Sequence, residues 1–202
     1  MELYIARHGE TEANAQRRWQ GQGMDTPLTP KGISQAKALG ESLEGIEFDA
    51  IYSSPLNRAM DTTRIVFKDQ NLFEGRGVAD KRLAEIALGD AEGSVYSDGE
   101  DAEFPQIFHE LFYDTEDYTP PRNGETLPDM LKRVDSFLEE IAKKPYKKVF
   151  ALAHGYVLRV VYACALDKSV AAISKAPRFG NCALCRYVYC NGKWEFQEVI
   201  EP

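Results

Sequence analysis

Short, nearly unbroken apolar runs alternate along the chain with stretches of helical periodicity. Leu3-Tyr4-Ile5-Ala6 and Val149-Phe150-Ala151-Leu152-Ala153 are apolar on both faces, and each leads into a His-Gly pair, His8-Gly9 and His154-Gly155. Ala50-Ile51-Tyr52-Ser53-Ser54 has the same character. Strands that are apolar on both faces belong at the buried centre of a parallel sheet covered by helices.

Between these runs the period lengthens. Thr29-Pro30 supplies an N-cap and a proline at the first helical position, and Ile33, Ala36, Leu39 and Leu43 then share one face. Ser54-Pro55 makes the same start for a helix to about Phe67. Leu127, Met130, Leu131, Val134, Leu138 and Ile141 predict a helix over about 126–143, and another is expected from about Tyr156 to Ala165. Near the end, Leu184 to Cys190, Asn191-Gly192 and Lys193 to Val199 read as a strand, a two-residue turn and a strand. The order predicts an α/β fold, a three-layer sandwich with a mostly parallel central sheet, helices on both faces and a C-terminal antiparallel hairpin. With no solenoid repeat, low-complexity tract or long linker, residues 1–202 are expected to form a single domain.

Composition narrows the class. Of 202 residues, 44% are hydrophobic and 28% charged, enough apolar material for a core without disulfide or metal staples. The net charge of −8 argues against nucleic acid or an anionic membrane surface as partner. No apolar run approaches the roughly 18 residues of a membrane span. The N-terminus lacks a signal-peptide pattern, and Cys164, Cys182, Cys185 and Cys190 do not make a secreted disulfide framework, so the expected location is the cytoplasm. The charge is unevenly spread. Residues 83–121 contain eleven acidic residues and no Lys or Arg, which leaves the rest of the chain at +3. Part of this stretch, about 90–121, is expected to be an acidic lid or insertion, with Phe104, Phe108, Phe112 and Tyr113 on a lid helix.

Ligands of open α/β sheets bind beyond the carboxyl ends of the strands. Those ends carry Arg7-His8-Gly9, Ser53-Ser54 leading to Arg58, and His154-Gly155. If the three strands are neighbours, two imidazoles and two guanidiniums converge. Guanidinium forks match phosphate oxygens in pairs, and a neutral imidazole is a nucleophile at pH 7. A phosphate site is the natural reading. Cys182-Ala183-Leu184-Cys185 lacks the second pair that a zinc site needs, and no metal site is expected.

The whole pattern resembles the histidine phosphatase superfamily, in its phosphoglycerate mutase-like branch. The likeness rests on Arg7-His8-Gly9-Glu10-Thr11 with Asn14, Gln20-Gly21, Pro27-Leu28-Thr29 and Ser53-Ser54-Pro55-Leu56-Asn57-Arg58-Ala59. It continues through Leu83-Ala84-Glu85-Ile86, Glu92-Gly93, Gly124-Glu125-Thr126 and His154-Gly155. The resemblance implies His8 as a nucleophile that takes the phosphoryl group. It implies Arg7, Arg58 and His154 around the phosphoryl oxygens, Asn14, Gln20 and Gly21 along the substrate pocket, and Glu85 as general acid and base. Where many relatives carry an aromatic between glycines, this chain has Gly89-Asp90-Ala91-Glu92-Gly93, which is expected to reshape the pocket wall.

Three functions fit such a site: a metal-independent phosphatase, a cofactor-dependent phosphoglycerate mutase, and a non-catalytic phospho-ligand sensor. An acidic lid would repel a bisphosphorylated acid, which favours hydrolysis of a small phosphorylated metabolite by a monomer or homodimer without added cofactor. The filled catalytic positions weigh against the sensor.

Overall fold

The computed structural model describes residues 1–201 except Asp98, Glu100 and Asp101, so three of the acidic residues of the 83–121 segment lie outside the described residues. Six strands form one sheet: β1 (Glu2–Arg7), β2 (Ala50–Ser53), β3 (Gly77–Ala79), β4 (Lys148–Ala153), β5 (Leu184–Cys190) and β6 (Lys193–Ile200). Their order is β3-β2-β4-β1-β5-β6. The first three contacts are parallel, and β5 and β6 add antiparallel to β1 and to each other. The helices are α1 (Glu12–Ala15), α2 (Pro30–Ser42), α3 (Asn57–Val66), α4 (Pro105–Phe112), α5 (Leu127–Ala142), α6 (Gly155–Leu166) and α7 (Ala171–Ser174).

Strand alternation divides the core into two halves, as a sheet covered on both faces requires. Leu3, Ile5, Val149, Ala151 and Ala153 point to one side and pack with Met130, Val134 and Phe137 of α5 and Val157 and Val160 of α6. Tyr4, Ala6, Phe150 and Leu152 point to the other and meet Ala36 and Leu39 of α2 and Ala59 and Val66 of α3. The result is the expected sandwich, with helices on both faces of the sheet.

Several details depart from the sequence expectation. On α2 the buried face is Gly32, Ala36, Leu39 and Gly40, while Ile33 is 37% exposed. The glycines explain the shift, because they let backbone approach backbone: a Cβ on Gly40 would meet the Val66 carbonyl at 2.7 Å. Helix α3 begins at Asn57 rather than after Ser54-Pro55, because the Ser54 hydroxyl is engaged by the Leu56 N–H at 3.3 Å and by His154. Strand β3 was not expected; it is three residues long and lies at the sheet edge. The hairpin closes as expected, with Asn191 and Gly192 at φ 52° and 81°. Among the described residues no helix is long and apolar enough to cross a membrane.

Candidate active site

Strands β2, β4 and β1 are neighbours and parallel, so their carboxyl ends lie side by side. Arg7 pairs with Ala153 and Ser53 with Leu152, and the His8 N–H donates to the Ala153 carbonyl at 3.1 Å. This register places His8 and His154 one residue beyond adjacent strand ends. Their rings meet edge to face with centroids 5.1 Å apart.

Both imidazoles are buried, His8 at 4% exposure and His154 at 0%. Burial holds His8 well below its ordinary pKa, and the Arg58 and Arg7 charges push it in the same direction. His8 Nδ1 lies 2.8 Å from the Gly9 carbonyl oxygen. A carbonyl only accepts, so Nδ1 carries the proton and Nε2 keeps its lone pair. Burial, then Arg58 and then His8 likewise keep His154 neutral. His154 Nε2 sits 2.7 Å from Ser54 Oγ, and its Nδ1 has no protein partner. Ser54 Oγ already accepts from the Leu56 N–H, so its own proton is free to go to His154 Nε2. In that arrangement His154 Nδ1 is an unpaired N–H donor.

The cations around the imidazoles are held from behind. The Arg58 side chain is fully buried and donates to the Gly21 carbonyl at 2.8 Å, the Met24 carbonyl at 3.0 Å and Asp25 Oδ1 at 3.0 Å. The Arg7 guanidinium donates to the Phe179 carbonyl at 2.7 Å, while its buried Nε–H is unpartnered.

Glu85 completes the inner end. Its Oε1 accepts from the Ile86 N–H at 2.9 Å and its Oε2 from the Tyr156 N–H at 3.2 Å, in the first turn of α6. Those bonds and the Arg58 and Arg7 charges favour the carboxylate, yet burial outweighs them and raises the carboxyl pKa.

These groups open on a cavity of about 340 Å³. Arg7, His8, Asn14, Gln20 and Glu85 line it directly, whereas Arg58, His154 and Gly21 stand behind its wall. Gly21 therefore contributes a carbonyl to Arg58 rather than a pocket surface. Asn14 is fixed by Asn181, whose Nδ2 donates to its Oδ1 at 3.2 Å and to the His8 carbonyl at 3.1 Å. Gln20 satisfies its neighbours when its amide nitrogen donates to Thr11 Oγ1 at 2.7 Å and its oxygen accepts from Arg58 Nη1 at 3.1 Å.

Sequence reasoning missed Asp25, Arg159, Arg178 and Asn181. Asp25 is the only acid between Glu12 and Glu41, and Arg159 is the one charge in an otherwise apolar helix. Both signals were available. The electrostatic argument from the acidic segment needs correction. From residues 83–121 the cavity receives Glu85, Ile86, Leu88, Tyr96, Leu111 and Phe112, and among the described residues no other acid of that segment lines it. Five arginines line the cavity, so repulsion of a doubly charged ligand is not a property of this wall. Ala91, in the stretch noted as lacking an aromatic, is fully buried off the cavity, whose wall has the rings of Trp19, Tyr96, Phe112, Tyr156 and Phe179, those of Trp19 and Tyr96 with centroids 4.4 Å apart. Among the described residues, no cluster of three or more His, Cys, Asp or Glu side chains is arranged to hold a metal, and the four cysteines are free thiols.

Comparison with known proteins agrees with this geometry. Residues 3–201 match the model of the histidine phosphatase superfamily (branch 1). The chain is 36% identical over 142 residues to the fructose-2,6-bisphosphatase TIGAR of Xenopus tropicalis, covering 70% of this chain and 50% of that one, so it spans about half the length of that relative. It is 36% identical over 163 residues to a metal-independent phosphoserine phosphatase of Arabidopsis thaliana, covering 80% and 67% of the two chains. The solved structure of Bacillus stearothermophilus YhfR superposes with a TM-score of 0.82 at 30% identity, covering 96% of this chain and 94% of that one.

Proposed function

The chain belongs to the histidine phosphatase superfamily (branch 1), and on that premise we propose that it hydrolyses a small phosphomonoester through a phosphohistidine at His8. Relatives named as phosphatases support a hydrolase. The observation that carries the reading is the state of His8: Nδ1 bonded to the Gly9 carbonyl at 2.8 Å, Nε2 unprotonated, in a cavity shared with Arg7 and Glu85.

In the first step the Nε2 lone pair attacks phosphorus, and the bond from phosphorus to the ester oxygen breaks as that oxygen takes the Glu85 proton. A carboxyl whose pKa is raised by burial holds its proton more readily than an exposed one and so is better suited to give it up in this step. In the second step Glu85 takes a proton from water, the water oxygen attacks phosphorus, and the N–P bond breaks, returning the lone pair to Nε2. The unpartnered N–H of Arg7 Nε, and behind the wall that of His154 Nδ1, are the donors offered to the equatorial oxygens, with the Arg58 charge behind them. No step in this scheme draws on a metal. The 90–121 segment, whose helix α4 brings Leu111 and Phe112 to the cavity, serves as its outer wall or lid.

The arginine-lined wall gives the mutase reading a specific observation in its favour, since it accepts a second anion. Brief incubation with a ³²P-labelled phosphomonoester, followed by alkaline quench, tests both. Label in wild type that is absent from His8→Ala, with phosphate released on standing, is expected. Label that passes to a second hydroxyl faster than to water identifies a mutase; no label at all refutes the covalent scheme.

A further inference from the structure

Glu85 stands on a stretch of chain with no regular structure. Residues 84–88 run between two short 3₁₀ turns, Lys81–Leu83 and Gly89–Ala91, in neither a helix nor a strand. The backbone of such a segment must find its hydrogen bonds elsewhere, and here much of it turns to side chains. The Glu85 carbonyl accepts from Arg133 Nη2 at 3.2 Å and from Gln22 Nε2 at 2.8 Å. The Ala87 N–H donates to Glu125 Oε2 at 3.4 Å, and the Ala87 carbonyl accepts from the Glu125 N–H at 2.8 Å. Arg133 Nη1 donates in addition to the Arg82 carbonyl at 2.7 Å.

Arg133 and Glu125 also hold each other as a fork, Nε to Oε1 at 2.6 Å and Nη2 to Oε2 at 2.8 Å. Both side chains are mostly buried, yet neither lines the cavity. Arg133 projects from α5, whose Met130, Val134 and Phe137 are fixed in the core, and Glu125 lies just before that helix. The pair therefore grips the chain at Arg82, Glu85 and Ala87 from a rigid support. Resting on the reading above, we propose that Arg133, braced by Glu125, is a positioning residue that aims the Glu85 carboxyl at the ester oxygen and at the attacking water.

The guanidinium matters here for its shape. Four of its five N–H groups are used, two on the Glu125 carboxylate and two on the Arg82 and Glu85 carbonyls. A lysine ammonium offers its donors from a single point and cannot span those carbonyls while meeting both carboxylate oxygens. Without the clamp the segment is free to shift, while His8 stays on the Ala153 carbonyl and Arg58 on Asp25. A shift of about 1 Å in a reacting group costs about 10²-fold in rate.

The signature of such a role is dependence on the leaving group. An alkyl ester needs the Glu85 proton to depart, whereas p-nitrophenolate leaves without one, and only the later hydrolysis of phosphohistidine then needs the carboxylate. In Arg133→Met, kcat/KM for glycerol 3-phosphate is expected to fall about 10- to 100-fold, while that for p-nitrophenyl phosphate stays within about twofold. For the aryl ester kcat and KM fall together as phosphohistidine accumulates. Arg133→Lys recovers only part of the loss. Added to Glu85→Gln, Arg133→Met changes neither ester further, because both act through one group. A merely structural loss lowers the amount of folded enzyme and so slows both esters alike. Should Arg133→Met not fold, Glu125→Gln breaks the same clamp and must show the same signature. Equal losses on the two esters, full rescue by lysine, or additive losses in the double variant overturn the positioning role. An alkyl-to-aryl ratio that changes in Glu85→Gln but not in Arg133→Met overturns the clamp alone. A ratio unchanged even in Glu85→Gln overturns the acid–base assignment above, and the clamp's purpose falls with it.

Discussion

Glu85→Gln separates the two halves of the proposed reaction. Glutamine keeps the shape and one acceptor oxygen, but it places an NH₂ against either the Ile86 or the Tyr156 N–H, which now bond the carboxyl at 2.9 and 3.2 Å. One bond lost and a donor facing a donor cost about 1–3 kcal/mol of stability, a fall of about 2–4 °C in Tm per kcal/mol for a domain this size. The chemical loss is larger. Removing a positioned acid and base lowers the affected steps about 10²- to 10⁴-fold. For an alkyl phosphate both steps are affected. For p-nitrophenyl phosphate the leaving anion is stable without a proton, so phosphorylation of His8 stays fast while hydrolysis, which needs Glu85 as base, becomes slow. Rapid-quench kinetics should then show a stoichiometric burst of nitrophenolate, followed by slow turnover, with phosphohistidine accumulating. Equal losses for alkyl and aryl esters with no burst would show that Glu85 is only structural, and unimpaired turnover would remove it from the mechanism.

Two further outcomes follow from buried groups. His8 and His154 have native pKa values depressed by burial, so below pH 6.5 the unfolded chain binds protons that the native chain refuses, and stability falls on acidification. From pH 7 to 5.5 the two histidines together cost on the order of 1–3 kcal/mol. Glu85, with a raised pKa, offsets part of this loss, because its contribution is present below its unfolded pKa and is lost as pH rises through its native one. Urea midpoints that stay constant or rise over that interval contradict the assigned neutral state. Phe150→Ala empties a site packed against Phe48 and Phe67 at 5.6 and 5.0 Å, and the loss expected by urea denaturation is about 3–5 kcal/mol; a cost under about 1 kcal/mol would mean the core collapses around the gap.

What the sequence revealed follows from which forces it records locally. Strands β1, β2 and β4 stand out because burial on both faces leaves a continuous apolar run, and α5 because one buried face recurs with helical period. Backbone packing leaves no such trace. The face of α2 was misplaced toward Ile33 because Gly32 and Gly40 carry its contacts through absence of side chain. The start of α3 was misplaced because a capping signal, Ser54-Pro55, is overridden by a tertiary partner a hundred residues away, His154. In the site, His8, Arg7 and Glu85 were visible as motifs. Arg178 and Asn181 were not, since their roles depend on how the loop after α7 settles against α4 and β1.

The arrangement of charge explains why such a cavity is worth building at the carboxyl ends of the inner strands. Asp25 neutralises the rear of Arg58, and main-chain carbonyls hold both Arg58 and Arg7, so the cations are fixed without a carboxylate entering the anion's position. With Glu85 biased toward its neutral form and both imidazoles uncharged, their field meets little opposing charge. Meanwhile Arg7 Nε and His154 Nδ1 remain buried without partners, each a cost to the empty fold of about 1–3 kcal/mol. In the proposed reaction a phosphoryl group relieves that cost by accepting from both. Donors fixed before the ligand arrives need little reorganisation when charge develops on those oxygens, so the same unsatisfied groups that destabilise the empty chain are what make the site complementary to phosphoryl transfer.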